Sequence, residues 1–514
     1  MIAGSLYFLL ICFLIYKTNF FGILKDDSLN KNFFLAAFLF KVSGIAVFYY
    51  IYDRFYGGIY YSDTYHYFED SKVIYSVSKW DFWEFVKLML GLVDDQTHGT
   101  YLFENYIHLT GIWEKSADEL LYNDNRLIIR MNVLIYFISF GSYFVHALIS
   151  SFLSFLGINW IYKTFKFLFP GKEIALFLVW LVFPGIWFWT SGLFKEGPAL
   201  FLMGLTLISV KRLMIDKRKG IKIYLMFALG VIFSFMFKSY ILVPLLFFTL
   251  LFFIIVFVYS IQRKTLVYLL AIAITIMGAS AALKVFFNKS PVEAISDRQK
   301  TFIDVSHGGI FLLAKDSSMF IRLPYDFKTV TIDSTLFRPT ATISKGASYA
   351  YCNPIKNPND TVYVQNNIDT TTAYTLYYYF AKAHSSFEVP LINNSVKEFF
   401  KILPFSLYIT LFKPLFYDAR NALDIIDSIE NLMILISLLI LIVNCIRQKI
   451  IDPWHVYFLS IVVCVLLIIG ITSPNMGAIE RYRAIIVPYV FMSTLLNLSY
   501  KPLSNLDKFF KNPL

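Results

Sequence analysis

Charged side chains interrupt the apolar sequence at three places where catalytic chemistry could occur. These are Asp63 in YYSDTYHYF, the Lys195–Glu196 step in FWTSGLFKEGPA, and the pair Arg481 and Arg483 in GAIERYRAIIVP. Charges at the edge of apolar segments are costly to desolvate and are usually functional. A carboxylate combined with cations from two other segments predicts one active site for a lipid-linked phosphate.

Asp63 is the candidate general base. The aromatic residues around it would partly desolvate the carboxylate and raise its pKa, so that it could deprotonate an acceptor hydroxyl. His66 lies three residues on and could share a helix face with Asp63, and Tyr65 is a further supporting residue. The alternative is an interfacial aromatic belt that carries a solvated acid.

Glu196 and Lys195 stand where two apolar segments meet. The Pro-Gly pair at 184–185 breaks the first segment, and the Gly-Pro pair at 197–198 opens the second. Proline suits a first helical turn, so we expect Glu196 near the N-cap, where the helix dipole favours an anion. Glu196 is therefore either a capping acid or a catalytic acid beside a phosphate-binding Lys195. Lys238, in FMFKSYILVP, is a second candidate phosphate ligand in a similar turn.

Arg481 and Arg483 form the strongest cationic candidate for phosphate binding. A guanidinium group can bind two phosphate oxygens at once, and both arginines could face one phosphate in a turn. Glu480 and Tyr482, which adjoin them, are supporting candidates. Arg298, in SDRQKTF, is a weaker cation of a polar segment.

The composition excludes an ordinary soluble protein, because 57% of the residues are hydrophobic and 54 are phenylalanine. The net charge of +11 is explained by lysines in short loops, as the positive-inside rule requires, so we expect no nucleic-acid partner. The four cysteines give no disulfide framework, and the first 20 residues lack a signal-peptide cleavage site, so they are read as a retained span.

The hydropathy predicts an all-α polytopic membrane protein with about eleven transmembrane helices. The predicted spans are 3–23, 33–52, 142–163, 173–194, 198–213, 222–238, 240–261, 266–286, 429–446, 455–472 and 484–500. The basic loops lie on one side if the N-terminus is outside and the C-terminus is cytoplasmic. Segment 402–417 would upset this order if it crossed, and it contains Pro404 and Pro414, so we expect an interfacial or re-entrant helix.

The predicted organisation follows from these spans. Its parts are two N-terminal helices (1–52), an external catalytic loop with an interfacial helix at 79–93 (53–128), a transmembrane bundle (129–286), an external, periplasmic mixed α/β domain before the last three spans (287–400), the interfacial helix (401–428), and the C-terminal helices and tail (429–514). The loop 53–128 has thirteen acidic and six basic residues. The Thr, Tyr and Val content of 340–382 predicts short strands.

The sequence contains no recognisable cofactor motif. The histidines are scattered, and there is no HExxH, CxxC, P-loop or dinucleotide fingerprint. We therefore expect no metal site, although the acidic loop 53–128 could bind a divalent ion.

Several of these segments resemble the GT-C superfamily of polytopic glycosyltransferases. The resemblance rests on the external Asp63, on PGIWFWTSGLFKE, which is similar to a P-S-x-x-F-W-S-S-G-x-x-K-E element of uncharacterised bacterial members, on ILPFSLYITLFKP, and on the late R-Y-R-x-x-x-x-P element that ends at Pro488. It implies that Asp63 is the catalytic base. It also implies that the phosphate of a polyprenyl-phosphate-sugar is held by Arg481, Arg483, Lys195 and Lys238. This chain differs in having Thr64, where the superfamily often has a second acid, and an additional N-terminal span.

The predicted function is transfer of a sugar from a polyprenyl-phosphate donor to a glycan, lipid or protein acceptor at the outer face of the bacterial inner membrane. One alternative is a polymerase or ligase that uses undecaprenyl-diphosphate-linked glycans, which depends on external arginines and less on an external aspartate. A transporter or flippase is another, although no internal repeat is visible. The last alternative is a non-enzymatic scaffold of a secretion or motility complex.

Overall fold

The computed structural model of the chain describes most of the predicted spans and all the candidate residues. The described residues are 2–55, 57–93, 95, 99–113, 125–258, 263–288, 290–306, 311–316, 319–323, 330–333, 340–343, 347–352, 363–367, 372–378, 385–419, 422–448, 452–498 and 511. The chain divides into two compact units. The first comprises residues 1–273, 415–465 and 481–514, and the second comprises 274–414 and 466–480.

Helices dominate the described chain. Up to the middle of the sequence they are α1 (Ile2–Thr18), α2 (Lys31–Phe55), α3 (Asp63–Trp80), α4 (Phe82–Leu90), α5 (Tyr101–Asn105), α6 (Asn125–Ser139), α7 (Tyr143–Phe165), α8 (Glu173–Leu181), α9 (Pro184–Trp189), α10 (Glu196–Met214), α11 (Ile221–Met236), α12 (Ser239–Phe253) and α13 (Lys264–Phe287). They are followed by α14 (Pro291–Ser306), α15 (Val396–Phe412), α16 (Ala422–Gln448), α17 (Pro453–Thr472), α18 (Met476–Arg483) and α19 (Pro488–Asn497).

Seven of the described helical segments are long and apolar enough to cross a membrane. They are Lys31–Phe55, Tyr143–Leu168, Glu196–Met214, Ser239–Phe257, Lys264–Ala281, Asp424–Arg447 and Pro453–Thr472. Two further apolar helices, Ala3–Thr18 and Ile221–Phe233, are shorter. The chain is therefore an α-helical, multi-pass membrane protein, as its hydropathy predicts.

Two of the eleven predicted spans are not single long helices. The segment 173–194 consists of α8 and α9, of nine and six residues, because the helix ends before Pro184, whose ring opens the next one. The segment 484–500 contains α19, which begins at Pro488 and has ten residues. Its last two residues lie outside the described part of the chain.

Helices α7 and α10 pack closely and run parallel. Near the start of both, a Cβ added to Gly197 would lie 2.7 Å from Ser150 Oγ, and seven residues further along each helix, a Cβ added to Gly204 would lie 2.4 Å from the Gly157 carbonyl oxygen. Only glycine fits at such distances, as in close membrane-helix contacts generally. The carboxyl ends of α7 and α10 consequently lie at the same end of this helix pair.

Helix α11 runs antiparallel to α10. A Cβ added to Gly230 would lie 2.5 Å from Thr206 Oγ1, and further toward the carboxyl end of α10, Arg212 Nη1 lies 3.7 Å from Met226 Sδ. The end of α11 is therefore close to the beginning of α10, where Glu196 stands.

The described part of the acidic loop folds into helices that buried polar contacts hold in place. Asp70 accepts hydrogen bonds from three backbone N–H groups of residues 111–113, at 2.8–2.9 Å. Asp95 pairs with Arg126 at 3.0 Å. The helix expected at 79–93 is α4, which begins after Asp81, whose carboxylate caps it. Its position at a membrane surface stays a prediction.

The second unit contains a seven-stranded antiparallel sheet. Its strands are β1 (Phe311–Asp316), β2 (Met319–Leu323), β3 (Val330–Asp333), β4 (Thr340–Ile343), β5 (Ala347–Cys352), β6 (Tyr363–Asn367) and β7 (Tyr374–Tyr378). They are ordered β3-β4-β7-β1-β2-β5-β6. The strands expected within 340–382 are confirmed, whereas β1 to β3 precede the predicted region.

Segment 402–417 is largely helical. Helix α15 has Pro404 in its interior and ends at Phe412, and Lys413 and Pro414 follow it. Proline removes a backbone donor and ends helices, which explains the end before Pro414. The interfacial or re-entrant position of this helix stays a prediction.

Candidate functional site

The first candidate, Asp63, is the first residue of α3. Ser62 caps this helix, and its hydroxyl accepts a hydrogen bond from the Tyr65 backbone N–H at 3.3 Å. The cap fixes where the helix starts and therefore where Asp63 projects. The Asp63 side chain is 50% exposed, so it can meet a substrate.

Glu196 is the first residue of α10, as the Gly-Pro pattern predicts. Its side chain is 1% exposed. Serines of α7 fix the loop before it, since Ser150 Oγ donates to the Gly192 carbonyl and Ser151 Oγ donates to the Ser191 carbonyl, both at 3.1 Å. Glu196 thus lies at the positive end of the helix dipole, which stabilises its charge.

Lys238 is the partner of Glu196. It stands between α11 and α12, its side chain is 3% exposed, and its ammonium group forms an ion pair with the Glu196 carboxylate. The antiparallel packing of α11 on α10 brings the two together across 42 residues of sequence. Removal of one partner from such a buried ion pair strongly destabilises the folded protein, because the other charge then stays buried without compensation.

Arg481 joins this pair to Asp63. Its Nη1 donates to Asp63 Oδ2 at 2.9 Å, and its Nε lies 3.4 Å from Glu196 Oε1. One guanidinium group therefore bridges the exposed and the buried carboxylate. Asp63, Glu196, Lys238 and Arg481 form what we call the four-residue cluster, in which positive and negative groups alternate.

Aromatic rings line the two cations of the cluster. The Tyr482 ring centroid lies 4.1 Å from Lys238 Nζ and 5.2 Å from Arg481 Cζ, and the Phe194 ring centroid lies 5.1 Å from Arg481 Cζ. Rings at such distances attract cations and exclude water. Tyr482, a predicted supporting residue, is therefore in direct contact with the cluster.

The expected rise in the pKa of Asp63 is wrong for this structure. Burial alone would raise the pKa, but the charge and hydrogen bond of Arg481, followed by the charges of Lys195 and His66, hold it below its ordinary value. The aromatic neighbours of Asp63 in the sequence indicate desolvation of its carboxylate. The arginine whose charge outweighs this desolvation is 418 residues away in the sequence. Asp63 is therefore ionised while Arg481 remains bonded to it.

Three other predicted residues stand around Asp63. Lys195 is partly exposed, and its Nζ lies 6.0 Å from the Tyr67 ring centroid. His66 is exposed on α3. The Tyr65 ring contacts the Tyr60 ring at 4.6 Å between centroids. Lys195 and His66 act on Asp63 through charge, and Tyr65 packs in the aromatic wall beside it.

Arg483 belongs to a different group of residues. It is completely buried, and its Nη2 lies 3.6 Å from Glu430 Oε1. Glu430 Oε2 in turn accepts a hydrogen bond from the Gly185 backbone N–H at 3.0 Å. Glu430 of α16 thus contacts both Arg483 and the start of α9, while Arg481 faces Asp63.

The remaining candidates, Glu480 and Arg298, belong to the second unit. Glu480 is partly exposed in α18. Arg298 is exposed in α14, and its guanidinium carbon lies 4.8 Å from the Phe302 ring centroid.

Lys41 is a buried charge that the sequence interpretation missed. It lies in the middle of α2 with no exposed surface, and its Nζ donates to Ser191 Oγ at 2.6 Å and to the Trp187 carbonyl at 3.4 Å. One turn later, a Cβ added to Gly44 would lie 2.4 Å from Ser191 Oγ. Helix α2 therefore holds the loop that leads to Glu196. The sequence feature that could have identified Lys41 is a single lysine inside an apolar span.

The described residues do not gather three or more His, Cys, Asp or Glu side chains into a group that could hold a metal ion. No protein-family model matches the sequence, and neither a curated protein nor a solved structure matches it significantly.

Proposed function

We propose that the chain is a glycosyltransferase of the bacterial inner membrane, which moves a sugar from a polyprenyl-phosphate donor to a glycan, lipid or protein acceptor on the outer side. The observation that carries the proposal is the contact of Arg481 with Asp63 and Glu196, at 2.9 and 3.4 Å. Such a transfer requires a base and a phosphate ligand within one substrate's length. The four-residue cluster meets this requirement with residues from four separate segments.

The sidedness of the site is supported by the two ends of α10. Glu196 begins this helix, and the basic stretch 211–222 starts in its last turn, at the other end of a helix of 19 residues, which is about 28 Å long. Basic loops remain on the cytoplasmic side. The four-residue cluster is then at the outer face, with the N-terminus outside and the C-terminus inside.

The proposed reaction is a single displacement. The acceptor hydroxyl oxygen attacks the anomeric carbon, and the bond between that carbon and the phosphate oxygen breaks. The hydroxyl proton passes to Asp63, and the phosphate leaves with the electron pair of the broken bond. Arg481 and Lys195 stabilise the charge that builds on the phosphate. Attack opposite the leaving group inverts the configuration of the sugar.

The ion pair of Asp63 with Arg481 determines the sequence of events, in which the donor binds before Asp63 acts as the base. While the pair is intact, the low pKa of Asp63 makes it a weak base. A donor phosphate that binds Arg481 replaces the carboxylate of Asp63 there. Asp63 then loses the cation that lowers its pKa, and becomes a stronger base at the moment when the donor is in place.

Glu196 and Lys238 have a positioning role in this proposal. Both side chains are almost completely buried, so neither is placed to meet a large glycan. Glu196 instead orients the Arg481 guanidinium, and Lys238 compensates the second negative charge. Lys195, which is partly exposed, remains the second candidate ligand of the donor phosphate.

The second candidate function is a polymerase or ligase for undecaprenyl-diphosphate-linked glycans. The low pKa of Asp63 favours this second function, because a transfer that depends on arginines depends less on an aspartate as the base. The two candidates differ in their donor, which carries one phosphate in the first and two in the second.

The donor distinguishes them experimentally. Full-length protein in proteoliposomes is supplied with polyprenyl-phosphate-sugars and, separately, with undecaprenyl-diphosphate-linked oligosaccharides, together with a panel of acceptors. We expect product only from the monophosphate donors, with inverted configuration by NMR. Product only from the diphosphate donors would replace the first candidate with the second.

A further inference from the structure

A surface of basic residues lies at the end of α7 and α10 that is opposite to the four-residue cluster. Lys163 and Lys166 stand at the end of α7, and six basic residues extend from the last turn of α10, through the turn that follows it, to the first turn of α11. These six are Lys211, Arg212, Lys217, Arg218, Lys219 and Lys222. Because α7 and α10 run parallel and α11 returns antiparallel, the fold gathers charges from separate segments at one place.

The inner members of this surface have partners. Lys211 pairs with Asp216 at 2.9 Å, and Lys166 pairs with Asp26 at 2.9 Å. Lys163 donates to the backbone carbonyl oxygen of Lys25 at 2.6 Å. These contacts fix the loops through two nearby acids and one backbone carbonyl oxygen, and they leave the outer cations uncompensated.

The outer members are Lys217, Arg218, Lys219 and Lys222, which we call the basic hairpin. All four are exposed, and within the described part of the chain none of them forms an ion pair. The hairpin is nevertheless ordered by the backbone, because the Arg218 N–H donates to the Arg212 carbonyl oxygen at 2.9 Å. Four like charges are thus held together on a short turn and on the first turn of α11, which follows it.

Exposed apolar side chains continue directly from the basic hairpin. Ile221, Tyr224 and Leu225, in the first turns of α11, are 76%, 48% and 55% exposed. Lipid acyl chains are an apolar partner for such side chains. Cations at the level of the headgroups beside an apolar helix start are the arrangement that anionic lipids recognise.

We infer that the basic hairpin binds the phosphate groups of anionic phospholipids, while Ile221 and Leu225 contact their acyl chains. This binding is independent of the proposed reaction, since it involves none of the residues assigned to it. Four clustered cations attract an anionic headgroup more strongly than a zwitterionic one, and salt screens this attraction.

The test is a lipid titration of detergent-purified, full-length protein, followed by native mass spectrometry. Phosphatidylglycerol is compared with phosphatidylcholine for the natural protein and for the quadruple variant K217Q/R218Q/K219Q/K222Q. The matched control is K72Q/K300Q/K397Q/K401Q, which removes the same charge from exposed lysines elsewhere. Thermal unfolding of each variant establishes that it is folded.

We expect the natural protein and the control to bind phosphatidylglycerol at least about tenfold more tightly than phosphatidylcholine at low salt. The quadruple variant should lose this preference, and K217R/K219R/K222R should keep it. Equal binding of both lipids by the natural protein would overturn the inference. An equal loss in the control would also overturn it, because the preference would then follow net charge alone.

Discussion

Arg481 Nη1 lies 2.9 Å from Asp63 Oδ2, although the two residues are 418 positions apart in the sequence. The bond joins the first residue of α3 to the end of α18, and the same guanidinium reaches Glu196 at 3.4 Å. An arginine that holds two carboxylates can exchange one of them for a phosphate while the other keeps it in place.

Arg481→Ala should weaken donor binding and turnover together. The guanidinium is present before the reaction and while charge builds on the leaving phosphate, so both stages lose it. We expect kcat/KM to fall by about 10²–10³-fold, with a higher KM for the donor. Arg298→Ala is the matched control in the second unit. A fall in kcat at unchanged donor KM would contradict a role in donor binding.

The acid limb of the pH profile should depend on Arg481. In the natural protein the pKa of Asp63 lies below its ordinary value of 3.8, so its carboxylate stays ionised as the pH falls toward that value. In Arg481→Gln, burial is no longer opposed by the guanidinium, and the pKa should rise. The acid limb of kcat/KM against pH should therefore move to higher pH. Identical limbs in both proteins would show that Arg481 does not control Asp63.

Glu196→Gln should destabilise the fold more than loss of an exposed ion pair does. The substitution leaves the buried Lys238 charge without its carboxylate partner, which costs about 3–5 kcal/mol. Glu398→Gln, which removes an exposed partner of Lys401, should cost at most about 1 kcal/mol. Thermal and denaturant unfolding in detergent measures both. Adding Lys238→Met to Glu196→Gln should recover part of the stability, and a purely additive double variant would contradict the coupling.

Gly44→Ala should disturb the loop that leads to Glu196. The new Cβ would lie 2.4 Å from Ser191 Oγ and 2.7 Å from the Trp187 carbonyl oxygen. We expect a loss of about 1–3 kcal/mol in unfolding free energy and lower activity. Gly278→Ala is the control, because nothing lies within 4 Å of its Cβ. Equal stability of the two variants would mean that α2 does not hold this loop tightly.

The sequence was sufficient to find the members of the cluster, because a charge at the edge of an apolar segment is conspicuous. It was not sufficient to separate Arg481 from Arg483. Residues two apart on a helix point about 200° away from each other, and their partners, Glu196 and Glu430, are selected by tertiary packing. The predicted direction of the pKa shift of Asp63 was wrong for the same reason, since the cation that lowers this pKa comes from a distant segment.

The fold was predictable to the extent that hydropathy determines it. The apolar helices and the strands of 340–382 follow from local pattern. The division of 173–194 into α8 and α9 was indicated by Pro184, although a hydropathy average across that proline still gives one span. Lys41 was missed because one lysine scarcely changes the apolar character of α2.

The turnover of Asp63→Asn tests the proposed function most directly, with Asp53→Asn, an exposed aspartate near the end of α2, as its control. The substitution keeps size and polarity but removes the base, so product formation from a polyprenyl-phosphate-sugar should fall by about 10²–10⁴-fold. Donor binding should not weaken, because Arg481 and Lys195 remain. An Asp63→Asn protein with the activity of the Asp53→Asn control would remove Asp63 from the mechanism and contradict the proposed transferase.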